Sequence, residues 1–383
     1  MKSFSSLLSL VMLVHKKELI FRFVIVYKKS NLFEKNFIMK KIDQNNQLQI
    51  ESLLNECKGN LFEFLVAQTL SRRFKKEDVF LLNLPRDFRG RLQFYEETIR
   101  QFDSELLKNL PLLAEKAASE IENHPIFKNK SQFSFTVIGK MVATNDNELW
   151  NETDIVALEE LSSGETKKHF ISLKLTKDHS YTNTKSAGIK SFIEKYFALF
   201  GNHAAAFQKK LNEEVDESFH MMGHKLYSMI DQEFKGSFDT RWSNDHTELP
   251  GELPPEMREV VHANYFRVGI KVREYLGELY KLDPHKFYLC LHALCGFGNQ
   301  DIIQVSCFHQ NKELKDILIK THSDLFSGDH NEIVVKELSP GVASFDISFK
   351  KFVLQIRVKP MNKFTTAAYK INCSIKMKGD SHA

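Results

Sequence analysis

The sequence predicts a mixed α/β protein, and three observations carry the prediction. Apolar residues recur at helical spacing from Ile50 to Phe74; period-two patterning begins at Phe133; and after a long helical middle the chain is again strand-like from Asp301 onward.

Each element follows from local pattern. Phe62, Leu65, Val66, Thr69 and Leu70 share one face of the first helix, and Leu92 to Glu122 repeats the pattern with Glu and Lys outside. Phe133–Ile138, Thr153–Leu158 and Lys168–Leu175 read as strands, and Ser162-Ser-Gly-Glu165 supplies the turn that makes the last two an antiparallel hairpin. Helix is expected over about 186–234 and 255–294, separated by the loop Pro250-Gly-Glu-Leu-Pro-Pro255. Strands close the chain over 301–308, 332–336, 345–358 and 365–376.

A chain of 383 residues, 42% hydrophobic and 27% charged, has the length for two or three domains with real cores, which excludes disorder, collagen and a disulfide-dense miniature fold. Five cysteines without a CxxC pair indicate neither a zinc ribbon nor a disulfide framework, so a reducing cytoplasm is expected. The net charge of +4 conceals an uneven distribution: +5 over residues 1–38, +6 over residues 345–383 and −7 between them. A basic tail on an acidic body suits a polyanion held at one end. Residues 4–14 are apolar, but no alanine precedes Ala67 to provide a cleavage site, and His15-Lys-Lys-Glu18 and Arg22 break the run. No membrane span is expected, and residues 1–38 read as an extension outside a domain that opens near Met39.

Side chains two apart on a strand point the same way, so Glu152 and Asp154 share a face, as do Ser172 and Lys174 on the partner strand. The hairpin makes the four converge. Glu63, at the margin of the first helix's apolar stripe beside Val66, Ala67 and Leu70, is a carboxylate that needs a cation if buried. Two carboxylates and a lysine are what a hard divalent cation and a phosphodiester require: oxygen ligands for one, an ammonium for the charge developing on the other.

A helix with Gly59-Asn-Leu-Phe-Glu63, then a strand, then Glu152-Thr-Asp-Ile-Val, then Ser172-Leu-Lys174, then a helix, resembles the PD-(D/E)xK restriction-endonuclease-like superfamily, most closely type II restriction enzymes, over residues 56 to about 205. The resemblance implies a central mixed sheet flanked by helices. It further implies Asp154 as the metal-binding acid, the Leu173 carbonyl as a backbone ligand, Lys174 as the catalytic lysine and Glu63 as an accessory acid. Ser172 stands where the family has Glu or Asp, so Glu63 or Glu152 must supply the second carboxylate, or the site binds metal weakly, or it is inactive. Also implied are Mg²⁺, with Mn²⁺ as substitute, double-stranded DNA as partner, a homodimer on a palindromic site, and a cognate DNA methyltransferase. A nuclease outside restriction, in repair or directed by RNA, and a non-catalytic nucleic-acid-binding protein stay open beside it. The expected division is 1–38 as extension, 39–240 as nuclease core with a helical insertion at 85–125, and 241–383 as a helical then β-rich basic region for DNA recognition.

The polar run after Lys174 places Lys177, Lys185 and Lys190 to follow a phosphate backbone. Near the C-terminus Gln355, Arg357 and Lys359 alternate with Leu354, Ile356 and Val358, and Lys363 and Asn372 follow; Gln, Arg and Asn can read base edges. His220-Met-Met-Gly-His224 lacks the Glu of a metalloprotease helix, and Cys290, His292 and Cys295 lack zinc spacing. Cys295-Gly-Phe-Gly lies after a helix and before a strand, the reverse of a dinucleotide site.

Overall fold

The computed structural model describes residues 47–85, 88–128, 132–138, 153–177, 181–297, 302–310, 313–326, 333–338 and 342–378. The extension at 1–38, the Met39 start and Glu152 lie outside them. Four helices come first: α1 (Gln47–Arg73), α2 (Glu77–Leu82), α3 (Phe88–Phe102) and α4 (Ser104–Asn123). Strands β1 (Phe133–Val137), β2 (Ile155–Glu160), β3 (Thr166–Lys177) and β4 (Thr182–Gly188) precede helices α5 (Phe192–Tyr196), α6 (Asn202–Ser228), α7 (Thr240–Ser243), α8 (Pro255–Leu282) and α9 (Pro284–Leu294). The chain closes with β5 (Ile302–Gln310), β6 (Glu313–Lys320), α10 (His322–Phe326), β7 (Val334–Val335), β8 (Ser344–Ser348), β9 (Phe352–Pro360) and β10 (Tyr369–Met377). The protein is thus mixed α/β, with two five-stranded sheets flanked by helices. Among the described residues no helix is long and apolar enough to cross a membrane.

Two compact units divide the chain, and neither is a continuous block. The first takes 153–175 and 307–318 together with the N-terminal segment up to 146; the second takes 176–306 and 319–383. The boundary therefore falls after Leu175 rather than near residue 240, because β5 and β6 return to the sheet begun by β1, whose order is β1-β2-β3-β5-β6.

In the first unit α1 is buried almost all round between Asn60 and Ser71, the mark of a central helix. Phe64 packs on Phe80 and Phe88, with ring centroids 5.8 and 5.7 Å apart, and Phe74 packs on Phe133 and Phe135 of β1 at 5.5 and 5.3 Å. Arg73 bridges Glu115 and Glu122 of α4, both at 2.6 Å. The segment 85–125, expected as a helical insertion, forms α3 and α4, which pack with α1.

The second unit packs α6 and α8 with a sheet ordered β4-β10-β9-β8-β7, every neighbouring pair antiparallel. A buried polar chain ties three elements: Ser218 donates to Asn264 Oδ1 at 2.7 Å, and Asn264 donates to the Tyr369 hydroxyl at 2.9 Å. His220 and His224 lie against the Phe234 ring, at 5.9 and 5.3 Å between centroids, which accounts for both without a metal. Gly223 lies between them because a Cβ there would sit 2.5 Å from the ring of Phe234. Helix propensity alone favours alanine at this position by about 1 kcal/mol. Overpacking should win, so Gly223→Ala is expected to destabilise by about 1–3 kcal/mol in denaturant unfolding; a gain in stability would mean that the ring moves freely.

Two strands differ from the sequence expectation. Thr182–Gly188, read as the polar run that leads into the helix expected from about 186, is strand β4, the edge partner of β10; Glu313–Lys320, whose apolar residues alternate irregularly, is edge strand β6. Both are edges whose conformation is set by the strand beside them.

Candidate functional site

The hairpin is built as its sequence predicts. Gly164 takes φ +85, open to glycine without strain, and Leu161 N donates to Glu165 O at 2.8 Å to close the turn. Register then pairs Ile155 with Ile171 and Ala157 with His169, so the two faces of the sheet acquire different characters. One face carries Phe133, Phe135, Ile155, Ala157 and Ile171 beneath α1, with Phe127 stacked on it. His169 and Glu159, 2.7 Å apart, are buried as a pair on that face under the Phe127 and Phe133 rings. The other face carries Asp154, Ser172 and Lys174.

Asp154 lies one residue before β2, yet both neighbouring strands hold its backbone: its N–H donates to Ile171 O, and its carbonyl accepts from Ile138 N, each at 2.9 Å. Its side chain is gripped on one oxygen. Oδ2 accepts from the Leu173 N–H at 2.6 Å and from the Ser172 hydroxyl at 3.3 Å, and the Lys174 ammonium stands 3.6 Å from it. Oδ1 takes part in none of these contacts, so three donors fix the carboxylate and leave one oxygen for a ligand. Asp154 is mostly covered, with 15% of its side chain exposed, while Lys174 at 38% reaches solvent. Ser172 is 4% exposed and Leu173 2%.

Four predicted residues, Asp154, Ser172, Leu173 and Lys174, are therefore brought together. Glu63 is half-buried on α1, in the stripe Glu63, Ala67, Leu70 and Phe74 whose last ring packs against β1. It lies eleven residues, about 16 Å of helix, from Phe74 along that stripe. Its helix covers the face opposite Asp154. Among the described residues no group of three or more His, Cys, Asp and Glu side chains converges.

The predicted DNA-contacting residues separate in the second unit. Gln355, Arg357, Lys359 and Asn372 share the open face of the second sheet, because register opposes Asn372 to Arg357. Lys185, opposite Cys373, belongs to the other face; it lies beside the Tyr196 ring at 5.7 Å, and burial, then the charge of Lys195, hold its ammonium below the usual lysine range. Lys190 pairs with Asp216 at 2.6 Å, and Lys363 pairs with Glu248, whose carboxyl it holds below the usual carboxylate range. Lys177 lies at the end of β3. Lys370 joins the open face opposite Lys359, a placement that depends on strand register and carries no local signal.

No protein-family model matches the chain, and no curated protein matches it in sequence. Among solved structures it is similar to restriction endonuclease MspI in a crystal structure with its cognate DNA. The two are 10% identical, with 80% of this chain and 97% of that chain covered and a TM-score of 0.34.

Proposed function

We propose that the chain is a divalent-metal-dependent endonuclease that cuts phosphodiester bonds of double-stranded DNA in the manner of a type II restriction enzyme. The observation that supports this reading is the Asp154 carboxylate held 3.6 Å from the Lys174 ammonium at the end of an antiparallel hairpin, on the sheet face away from α1.

The donor set fits a hard cation. Asp154 offers an Oδ1 outside these contacts and Leu173 a backbone carbonyl, and Glu152 would add a second carboxylate; all are oxygen donors, as Mg²⁺ or Mn²⁺ prefers. When bound, the ion supplies Lewis acidity and an acidified water. The chain's own groups do the rest. Leu173 N–H and Ser172 Oγ hold Asp154 by Oδ2 and leave Oδ1 outside these contacts. Lys174, anchored beside that carboxylate, places a positive charge where negative charge grows on the attacking oxygen and on the phosphorus-bound oxygens. A homodimer would match a two-fold symmetric site, and a cognate DNA methyltransferase would protect such sites in the cell.

Incubating the full-length chain with supercoiled and linear DNA, with Mg²⁺ or with EDTA, tests the reading. Discrete Mg²⁺-dependent fragments support a restriction enzyme, whereas uniform degradation or cutting only at junctions or in RNA supports a nuclease outside restriction. Ser172 favours a second reading, a binding protein without catalysis, since a hydroxyl replaces the acid of the resembled family. Ser172→Asp separates the two. At 4% exposure beside Asp154 Oδ2, the new carboxylate is expected to destabilise the metal-free protein by about 1–3 kcal/mol. Mg²⁺ should recover that loss in a thermal melt; a melt that ignores Mg²⁺ argues against a metal site.

A further inference from the structure

The second sheet is closed on one face and open on the other. Phe352, Leu354, Ile356 and Val358 of β9 and Tyr369, Ile371, Cys373 and Ile375 of β10 are buried on the closed face. On the open face Lys359 stands directly opposite Lys370, and Arg357 lies one same-face position along β9. Like charges directly opposed on adjacent strands destabilise a sheet. Even so, among the described residues none of these three cations has an acidic partner within ion-pair distance. Burial, then the charges of Lys370 and Arg357, hold the Lys359 ammonium below the usual lysine range. Among the described strand positions of this face the carboxylate is Asp346, which opposes Gln355 and hydrogen-bonds with Tyr181. The cluster is a standing repulsion that a bound anion would relieve.

Amide and hydroxyl groups lie beside the cations. Asn372 opposes Arg357, and Ser186 Oγ donates to Asn372 Oδ1 at 2.9 Å, a bond that leaves the Asn372 amide nitrogen as a donor outside it. No aromatic ring occupies a described strand position of this face, and the Tyr181 ring beside it is already engaged by Asp346 and, at 5.7 Å, by Lys376. A paired β-ribbon does fit the major groove of a duplex, with cations on phosphates and amides at base edges.

We propose that the open face of β9 and β10 is a docking surface for duplex DNA, with Arg357, Lys359 and Lys370 on the phosphate backbone and Gln355 and Asn372 toward the bases. The choice of DNA as the polyanion rests on the nuclease reading; the surface itself does not require catalysis.

The test is fluorescence anisotropy with a labelled DNA duplex in EDTA over a salt series, using the full-length chain, Lys359→Gln/Lys370→Gln and Asp154→Asn. Each lost phosphate contact lowers the slope of log Kd against log salt by about 0.9, so the lysine pair should lower it by about 1.8. Its thermal melt should be no lower than wild type, because the change removes a repulsion. Asp154→Asn should bind no more weakly than wild type, because it removes a negative charge from beside the scissile phosphate. If the wild type binds duplex in this lysine-dependent way but never cuts, the docking surface stands and the nuclease reading falls. No duplex binding by wild type, an unchanged slope in the lysine variant, or single-stranded DNA or duplex RNA bound as tightly as duplex DNA overturns the proposal.

Discussion

Asp154→Ala is expected to lower Mg²⁺-dependent cleavage by about 10³-fold, the equivalent of about 4 kcal/mol of lost stabilisation of the transition state. Alanine also removes the acceptor for the Leu173 N–H and the Ser172 hydroxyl, at 2.6 and 3.3 Å. Leaving covered donors unpaired costs about 1–3 kcal/mol of stability, so a loss of activity in alanine alone would be ambiguous. Asp154→Asn resolves this. It keeps an acceptor for both donors and removes only the charge, so the melt should stay near wild type while cleavage falls nearly as far. Plasmid linearisation rates with a parallel thermal melt measure both, and an asparagine variant that cuts at an undiminished rate would remove Asp154 from the chemistry.

Lys174→Ala should lower cleavage by about 10²–10³-fold, the range for deleting one preorganised group that meets developing charge. Its structural cost is small. The side chain is 38% exposed and 3.6 Å from its partner, and such solvent-screened pairs contribute under about 1 kcal/mol. Activity and stability are thus predicted to separate more cleanly here than at Asp154. Duplex binding in EDTA should weaken by no more than one phosphate contact, a salt slope lower by about 0.9, since the other cations proposed to hold the duplex backbone lie elsewhere in the chain. A variant that cuts as fast as wild type would make the Lys174–Asp154 pair structural only.

The hairpin was legible in sequence because every determinant is local: the short apolar run 155–158, alternation in 171–175, and Ser162-Ser-Gly-Glu165 between them. That local pattern also places Asp154, Ser172 and Lys174 on one face. What escaped is what depends on distant partners. Thr182–Gly188 has no apolar alternation and becomes a strand through pairing with β10, almost two hundred residues further on. Glu313–Lys320 alternates charge with apolar residues irregularly and is held as the edge beyond β5. The opposition of Lys359 to Lys370 likewise requires the register across the intervening turn. The same limit explains Glu63. Its stripe was readable, but where that stripe faces depends on Phe74 meeting β1.

The return of residues 307–318 to the first unit has a consequence for synthesis on the ribosome. Strand β3, which carries Ser172 and Lys174, lacks its outer neighbour β5 until the chain has been made well past residue 300. At 5–20 residues per second, the roughly 140 residues from Leu175 to Leu318 take about 7–30 s to emerge. During that interval the Lys174 strand is a bare sheet edge, open to pairing with other chains. A chain released early, before β5, would therefore tend to be caught by chaperones or aggregate rather than leave a working catalytic fragment at large.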